Sequence, residues 1–300
     1  DWGRRYGRAT LTNDAIAALI VTIMLIPQSL AYAMLAGLPA EVGLYASILP
    51  LVAYAIFGSS RTLAVGPVAV VSLMTATTVG EIAAQGTEAY LVAAALLALV
   101  SGTMLVGMGL LKLGFVANFL SHPVISGFIT ASGLLIAAGQ VKHLLGIQSG
   151  GHTLPEIASG LIGNLHAVNL PTLAIGTGVL AFLYFVRLNL KSLLVSLGLK
   201  SRLADVVTKA GPVVAVAATI LAVTLFDLGA AGVPLVGAIP QGLPLPRLPV
   251  IDLDTIVALA GPALLISLIG FVESVSVAQT LAAKRRQRIA PDQELIGLGA

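Results

Sequence analysis

Long apolar segments, separated by short links that carry the charged residues, follow one another along this sequence. A transmembrane helix needs about 20 consecutive apolar residues, and residues 13–36 and 89–111 both reach that length. Charged residues make up 10% of the chain and hydrophobic residues 57%, whereas about 25% of the residues in a soluble domain are charged. The sequence therefore predicts an all-α integral membrane protein.

Eight membrane segments are predicted, and the third is only about half as long as a bilayer requires. Asn13-Asp14 is expected to cap the first helix, and Pro27 is expected to kink it. The predicted segments comprise residues 13–36, 42–57, 68–79, 89–111, 123–141, 170–186, 212–226 and 255–281. Residues 154–165 are expected at the membrane interface, residues 228–250 as a connector without helix, and Pro291 as the start of a further helix.

The short third segment carries the feature that points to a function. Pro67 suits the first position of a helix because its missing N–H would be unpaired there, and residues 68–79 are too few to cross a bilayer. A half-length helix that starts inside the membrane leaves the N–H groups of Gly66, Val68 and Ala69 free, at the positive end of the helix dipole. Broken helices hold the substrate sites of many transporters. The sequence predicts an anion site here; a kinked or re-entrant segment without a ligand is the alternative.

The distribution of basic residues predicts the orientation. We count the half-helix as one membrane crossing. Of the 16 Lys and Arg residues, all except Lys142 and Arg247 then lie on the same side of the membrane. Positive residues favour the cytoplasmic side, so we expect a multi-pass protein of the inner cell membrane with a cytoplasmic N-terminus. The net charge of +3 is small and confined to the links, which argues against nucleic acid as a partner.

A weak internal repeat relates the first and eighth segments. Residues 18–29 align with residues 263–274, so that Gln28 falls on Glu273. Seven membrane crossings separate the starts of the two copies. Because this number is odd, the second copy has the opposite orientation in the membrane, and inverted repeats of this kind are known in transporters. The same shift places the counterpart of Gly66 and Pro67 near position 311. We therefore expect one repeat and the start of another in these 300 residues, and no transport by them alone.

Several stretches resemble the SulP family of sulfate permeases and related anion transporters. Residues 27–33 (PQSLAYA) resemble the first-helix signature of that family, and residues 43–47 (GLYAS), with Tyr54 and residues 57–61 (FGSSR), resemble its signature pattern. Residues 66–73 and 271–274 resemble its third and eighth helices. Val42 departs from the pattern, which has an aromatic residue at that position.

The resemblance implies a seven-plus-seven inverted-repeat fold, in which a core domain moves against a gate domain. Residues 1–111 would form the first four core helices, residues 112–250 the gate helices five to seven, and residues 251–300 core helix eight with the start of helix nine. It also implies a homodimer and a cytoplasmic STAS domain after the membrane part.

The resemblance places Gln28 and Tyr32 at the substrate site, opposite Val68. The two side chains are four residues apart and so share one face of a helix. Gln28 can donate a hydrogen bond to an anion, and Tyr32 offers a ring and a hydroxyl. The alternative for Gln28 is a hydrogen bond between helices, which contributes about 0.6–2 kcal/mol in membranes.

Glu273 is the one glutamate within a long apolar segment, and an ionisable residue there is a functional candidate. Its helical neighbours Gly270, Ser274, Ser276 and Thr280 are small or polar, as expected of a face on a cavity. A carboxylate beside an anion site repels the substrate unless it carries a proton or pairs with a cation. We predict that Glu273 and Ser274 belong to the site and that Glu273 couples transport to protons or sodium. A structural hydrogen bond, or pairing with an arginine beyond this chain, is the alternative.

Other chemistry finds little support in the sequence. The chain has no cysteine and four histidines without metal-ligand spacing, His122, His143, His152 and His166, so no cofactor or metal is expected. An intramembrane enzyme would need a nucleophile with a base, or two carboxylates, at depth. The predicted function is secondary active transport of a small anion (sulfate, bicarbonate, chloride or a dicarboxylate) by symport or exchange. A nucleobase–proton symporter and a passive anion channel are the alternatives.

Overall fold

The computed structural model of the chain describes residues 7–118, 122–149, 153–235, 242, 252–284 and 286–300. Within these residues the protein consists of helices, turns and extended links, without a β-strand. Its α-helices are α1 (Arg8–Leu35), α2 (Ala40–Tyr45), α3 (Leu49–Phe57), α4 (Ala69–Gly80), α5 (Glu88–Leu110), α6 (His122–Leu145), α7 (Leu154–Gly163), α8 (Leu170–Phe185), α9 (Lys191–Ser196), α10 (Ser201–Lys209), α11 (Gly211–Leu225), α12 (Leu253–Lys284) and α13 (Pro291–Gly299).

Some residues used in the sequence predictions lie outside the described part of the chain. They are Arg4, Arg5, His152, Arg247, Arg285 and most of the connector predicted for residues 228–250. What the sequence predicts for them stays a prediction.

Helices long and apolar enough to cross a membrane account for most of the predicted segments. Among the described residues there are five such spans, and a sixth if α10 and α11, bent by 46° relative to each other, count as one. The five are Thr10–Leu35, Ala40–Phe57, Glu88–Leu110, Leu170–Ser196 and Leu253–Ala283. The predicted half-helix is confirmed, since α4 has only 12 residues, and Pro291 opens α13 as predicted.

The predicted N-cap of the first helix was wrong. Helix α1 begins at Arg8, so that Asn13-Asp14 lies inside the helix and does not cap it. The reason is that residues 8–12 have no Pro or Gly to stop a helix that continues into the apolar segment.

The basic link after the sixth segment is helical, because α8 continues through a π-helical turn, Val186–Leu190, into α9. An exposed ion pair of 2.8 Å between Lys191 and Asp205 then joins α9 to α10.

One compact unit comprises the described residues of Ser29–Ile136 and Ala238–Ala300. Helix α5 lies at its centre and packs against α4, α12 and α13. Buried apolar side chains of α5, such as Leu96 and Leu97, form a core with Val79 of α4 and with Leu259 and Ala263 of α12. Close packing of these side chains, and not amphipathic patterning, holds these uniformly apolar helices together.

Small residues bring the helices of this unit very close to one another. The hydroxyls of Ser101 on α5 and Ser267 on α12 lie 2.8 Å apart and are buried. A Cβ atom added at Gly299 of α13 would lie 2.6 Å from the carbonyl oxygen of Gly102 on α5. In lipid, where helices gain little from leaving the solvent, such close approach and hydroxyl bonding stabilise helix pairs.

A second compact unit comprises the described residues of Asp1–Gln28 and Ala137–Gly237. Asn169 begins α8 by accepting a hydrogen bond from the N–H of Thr172 at 2.9 Å. The amide of the same side chain donates to the carbonyl of Ala231 at 3.0 Å. Gly211 at the start of α11 packs against Val186. The assignment of residues to core and gate domains remains a prediction.

Candidate substrate site

The start of α4 exposes unpaired backbone donors, as a helix N-terminus does when nothing caps it. Val68 is the N-cap residue in an extended conformation (φ −122°, ψ 134°), and no side chain caps the helix. The first helical hydrogen bond runs from the N–H of Ser72 to the carbonyl of Val68, at 2.9 Å. The N–H groups of the first three helical residues therefore have no partner within the helix.

The helix begins two residues later than the sequence predicted. Pro67 was expected at the first helical position, but it precedes the N-cap Val68, and Ala69 is the first helical residue. A β-branched valine accepts the extended conformation readily, which explains the delay. The group of free donors therefore shifts from Gly66, Val68 and Ala69 toward Ala69 and the next two residues.

Helix α12 runs alongside α4 in the opposite direction. Val79, at the end of α4, belongs to the same core as Leu259 near the start of α12. Nearer the start of α4 and further along α12, a Cβ atom added at Gly270 would lie 3.8 Å from the Val71 side chain. Continued by one turn toward the start of α4 and one turn along α12, this register leads toward Val68 and Glu273.

Glu273 lies half-buried on α12 between the buried residues Val272 and Val275. No described residue donates a hydrogen bond to it. The hydroxyl of Ser276 donates to the Val272 carbonyl at 2.6 Å, and that of Thr280 donates to the Ser276 carbonyl at 2.8 Å. The hydroxyls of Ser276 and Thr280 thus bond to carbonyl groups of their own helix. The Glu273 carboxyl group is left without a donor among the described residues.

Helix α1 continues through Pro27 without interruption, with Gln28 exposed and Tyr32 half-buried one turn later. Its neighbour Ser29 is fully buried, and the Ser29 hydroxyl lies 2.6 Å from that of Ser47. A Cβ atom at Gly43 would lie 2.0 Å from the Ser29 carbonyl oxygen. The signature residues Ser29, Gly43 and Ser47 thus hold α1 against the chain around α2. The close approach of the two backbones explains why residue 43 is a glycine.

The same unit holds a buried carboxylate that no sequence pattern indicated. Glu294 of α13 is fully buried and accepts hydrogen bonds from Tyr54, Ser59 and Ser60. All three donors belong to the signature pattern noted in the sequence. Because more than 230 residues separate Glu294 from them, no local pattern could have indicated the contact.

The sequence matches a known protein family over most of its length. The profile of the sulfate permease family matches residues 11–300. A probable sulfate transporter of Mycobacterium tuberculosis is 35% identical over 297 residues, which cover 99% of this chain and 50% of that protein. The chain thus spans about half the length of this relative.

Two solved structures share the fold. The structure of SLC26A9 superposes with a TM-score of 0.87 and 27% sequence identity, covering 100% of this chain and 48% of that one. The transmembrane domain of the cyanobacterial bicarbonate transporter BicA superposes with a TM-score of 0.79 and 21% identity, covering 98% of this chain and 72% of that one. The all-helical, inverted-repeat transporter fold predicted from the sequence is confirmed by these matches.

Proposed function

Since this chain belongs to the sulfate permease family, we propose that the complete protein moves a small inorganic or carboxylate anion across a membrane. The observation that carries the proposal is the uncapped start of α4; α12, which carries the half-buried Glu273, packs against α4. Free N–H groups at a helix start bind sulfate, phosphate and carboxylate groups well. The proposed site comprises Gln28, Tyr32, Gly66, Val68, Ala69, Glu273 and Ser274.

Sulfate is the first candidate substrate, because the mycobacterial relative is named a probable sulfate transporter. Bicarbonate is the second, because BicA shares the fold and is named a bicarbonate transporter. The nucleobase symporter considered from the sequence finds no support in these comparisons. Backbone donors suit either oxyanion, since they bind oxygen atoms without requiring one shape.

The proposed mechanism is secondary active transport by alternating access, as symport or exchange coupled to protons or sodium. Its support is the position of Glu273, whose charge opposes an anion bound at the start of α4. A proton or a cation at Glu273 removes that repulsion, so that substrate and coupling ion bind together. Residues 1–111 and 251–300 form the proposed core, and residues 112–250 the proposed gate. The proposal further comprises a homodimer in the inner membrane with a cytoplasmic N-terminus.

The experiment that tests this function is uptake by the complete protein in proteoliposomes. Labelled sulfate, bicarbonate, fumarate and uracil are offered separately, and we expect saturable uptake of at least one anion but not of uracil. Uptake of uracil alone would contradict the proposal.

A substitution at Val68 tests the location of the site. Val68→Glu places a negative charge at the free N–H groups, so we expect it to abolish anion uptake, whereas the similarly sized, neutral Val68→Gln retains part of it. Expression and membrane insertion of both variants are measured alongside. Wild-type uptake by Val68→Glu at a normal protein level would remove the site from this position.

A further inference from the structure

We infer that Glu294 is a positioning residue for the anion site, acting through the loop of residues 58–60 and the short non-helical segment of residues 63–68. The inference rests on the proposed function, because the consequence is measured as anion affinity. Glu294 itself is not proposed to touch the substrate. It belongs to α13, and its hydrogen-bond donors lie on α3 and in the loop that follows α3.

Four donors surround the Glu294 carboxylate, enough to satisfy a buried charge. One oxygen accepts from the N–H of Ser59 at 2.8 Å, the hydroxyl of Ser59 at 2.5 Å and the N–H of Ser60 at 3.0 Å. The other accepts from the Tyr54 hydroxyl at 2.6 Å. An isolated buried carboxylate is strongly unfavourable, and bonds of this charge-assisted kind are what make its burial possible.

The two successive N–H groups of Ser59 and Ser60 converge on a single oxygen, which is the geometry of a backbone anion nest. The carboxylate of Glu294 already occupies this nest. The serine-rich loop of the signature is therefore filled by the protein's own side chain and is a structural anchor. The free helix start of α4 remains available for a substrate anion.

Ser60 passes this restraint on to the chain that leads to α4. Its N–H donates to Glu294, while its hydroxyl oxygen accepts from the N–H groups of Thr62 at 3.4 Å and Leu63 at 3.2 Å. A serine hydroxyl that accepts from following N–H groups fixes a turn. Only residues 64–67, which form no helix or strand, then separate the turn from Val68. So few residues can span at most about 14 Å, so the turn limits where α4 can begin.

The turn of α13 that carries Glu294 is itself firmly held. The Gln293 amide donates to the Phe57 carbonyl at 2.5 Å, and the Asp292 carboxylate accepts from the N–H of Gly114 at 2.8 Å. Leu295 is buried in a core that includes Phe271 of α12. Glu294 is therefore presented to the loop from a rigid platform, as a positioning role requires.

The test separates positioning from general stability with variants of the complete protein. Ser60→Ala removes the hydroxyl that accepts from Thr62 and Leu63 and keeps the N–H that donates to Glu294. We expect the KM for sulfate, or for whichever anion the uptake panel identifies, to rise about 2- to 10-fold, as loss of one hydrogen bond would produce. Glu294→Gln should raise KM by more, since it removes the charge from every bond.

The control removes a buried hydrogen bond of the same unit that does not lead to α4. The double variant Ser101→Ala with Ser267→Ala deletes the hydroxyl pair between α5 and α12. We expect this variant to change the thermal unfolding temperature but not KM. An equal rise of KM in the control, or a wild-type KM in Ser60→Ala, would overturn the inference. If Glu294→Gln fails to fold, Ser60→Ala decides.

A second readout holds even if the proposed function fails. Hydrogen exchange of the peptide spanning residues 61–72 reports the position of the segment without any anion. We expect Ser60→Ala to accelerate exchange of this peptide and the control to leave it unchanged. Absence of uptake in the wild type, with faster exchange in Ser60→Ala, would reject the transport function and retain the positioning role. Unchanged exchange in Ser60→Ala would reject the positioning role itself.

Discussion

Glu273 and Glu294 lie in one compact unit and have opposite surroundings. Glu294 is fully buried and accepts from three residues. Glu273 is half-buried and receives no hydrogen bond from the described residues. The four donors to Glu294 occupy its carboxylate within the protein. A carboxyl group without such donors can accept a proton or a cation as the substrate arrives, which is why the coupling role is proposed for Glu273.

We therefore predict that Glu273→Gln in the complete protein still binds anion but loses proton-driven accumulation. Glutamine resembles the protonated carboxyl and does not repel the substrate. In the wild type, anion affinity should weaken as pH rises, because the carboxyl loses its proton and its negative charge then opposes the anion. In the variant, affinity should stay constant with pH. Substrate affinity measured against pH in both proteins checks this.

Ser276→Ala is the matched control, because the Ser276 hydroxyl bonds to the Val272 carbonyl of its own helix. This variant should keep the wild-type pH profile. If the profiles of the wild type and Glu273→Gln run parallel, Glu273 is structural and the coupling group lies elsewhere.

Helix α4 is short because of what precedes it and what surrounds it. The segment of residues 63–68 is not helical, and 12 helical residues remain. Such an interrupted backbone is tolerated at membrane depth only where protein or a polar cavity surrounds it. Helices α5 and α12 supply that surrounding by packing against α4.

The packing of α5 against α13 requires glycine at position 102 but not at position 107, about one and a half turns further along α5. A Cβ atom at Gly102 would lie 2.8 Å from the Gly299 carbonyl oxygen, whereas one at Gly107 would meet nothing within 4 Å. We predict that Gly102→Ala lowers the thermal unfolding temperature, because the two backbones must move apart to admit the methyl group. Overpacking of this kind lowers the free energy of unfolding by about 1–3 kcal/mol.

Gly107→Ala is the control on the same helix. It should leave the unfolding temperature unchanged or raise it, because alanine favours the helix over glycine by up to about 1 kcal/mol. Thermal unfolding of both variants in detergent makes the comparison. Equal unfolding temperatures for the two would show that α5 and α13 are not in close contact.

The inverted repeat leads to a prediction about the molecule as a whole. The chain spans about half the length of the mycobacterial relative, and the repeat places the partner of Gly66-Pro67 near position 311. One half-helix leaves the site open on the side that the second would close. We predict that the purified 300-residue chain shows no saturable uptake, whereas the complete protein does. Saturable uptake by the 300 residues alone would refute the inverted-repeat interpretation.

The sequence by itself determined the class of protein, most of its membrane segments and the half-helix. These features depend on local quantities: the length of apolar segments, and the effect of Gly66-Pro67 on the next few residues. The family signatures were equally visible, since residues 27–33 and 57–61 are contiguous in the chain. Local signals failed only at helix ends, where Arg8 continues α1 and Val68 delays α4.

The tertiary structure alone decided what the signature residues do. Residues 57–61 resembled a family pattern, but their neighbour Glu294 lies more than 230 residues away in sequence. Likewise, the proximity of Val71 to Gly270 follows from the packing of α4 against α12. A hydrogen bond between distant residues leaves no periodicity or spacing in the chain, because it depends on how helices pack and not on the residues that adjoin it.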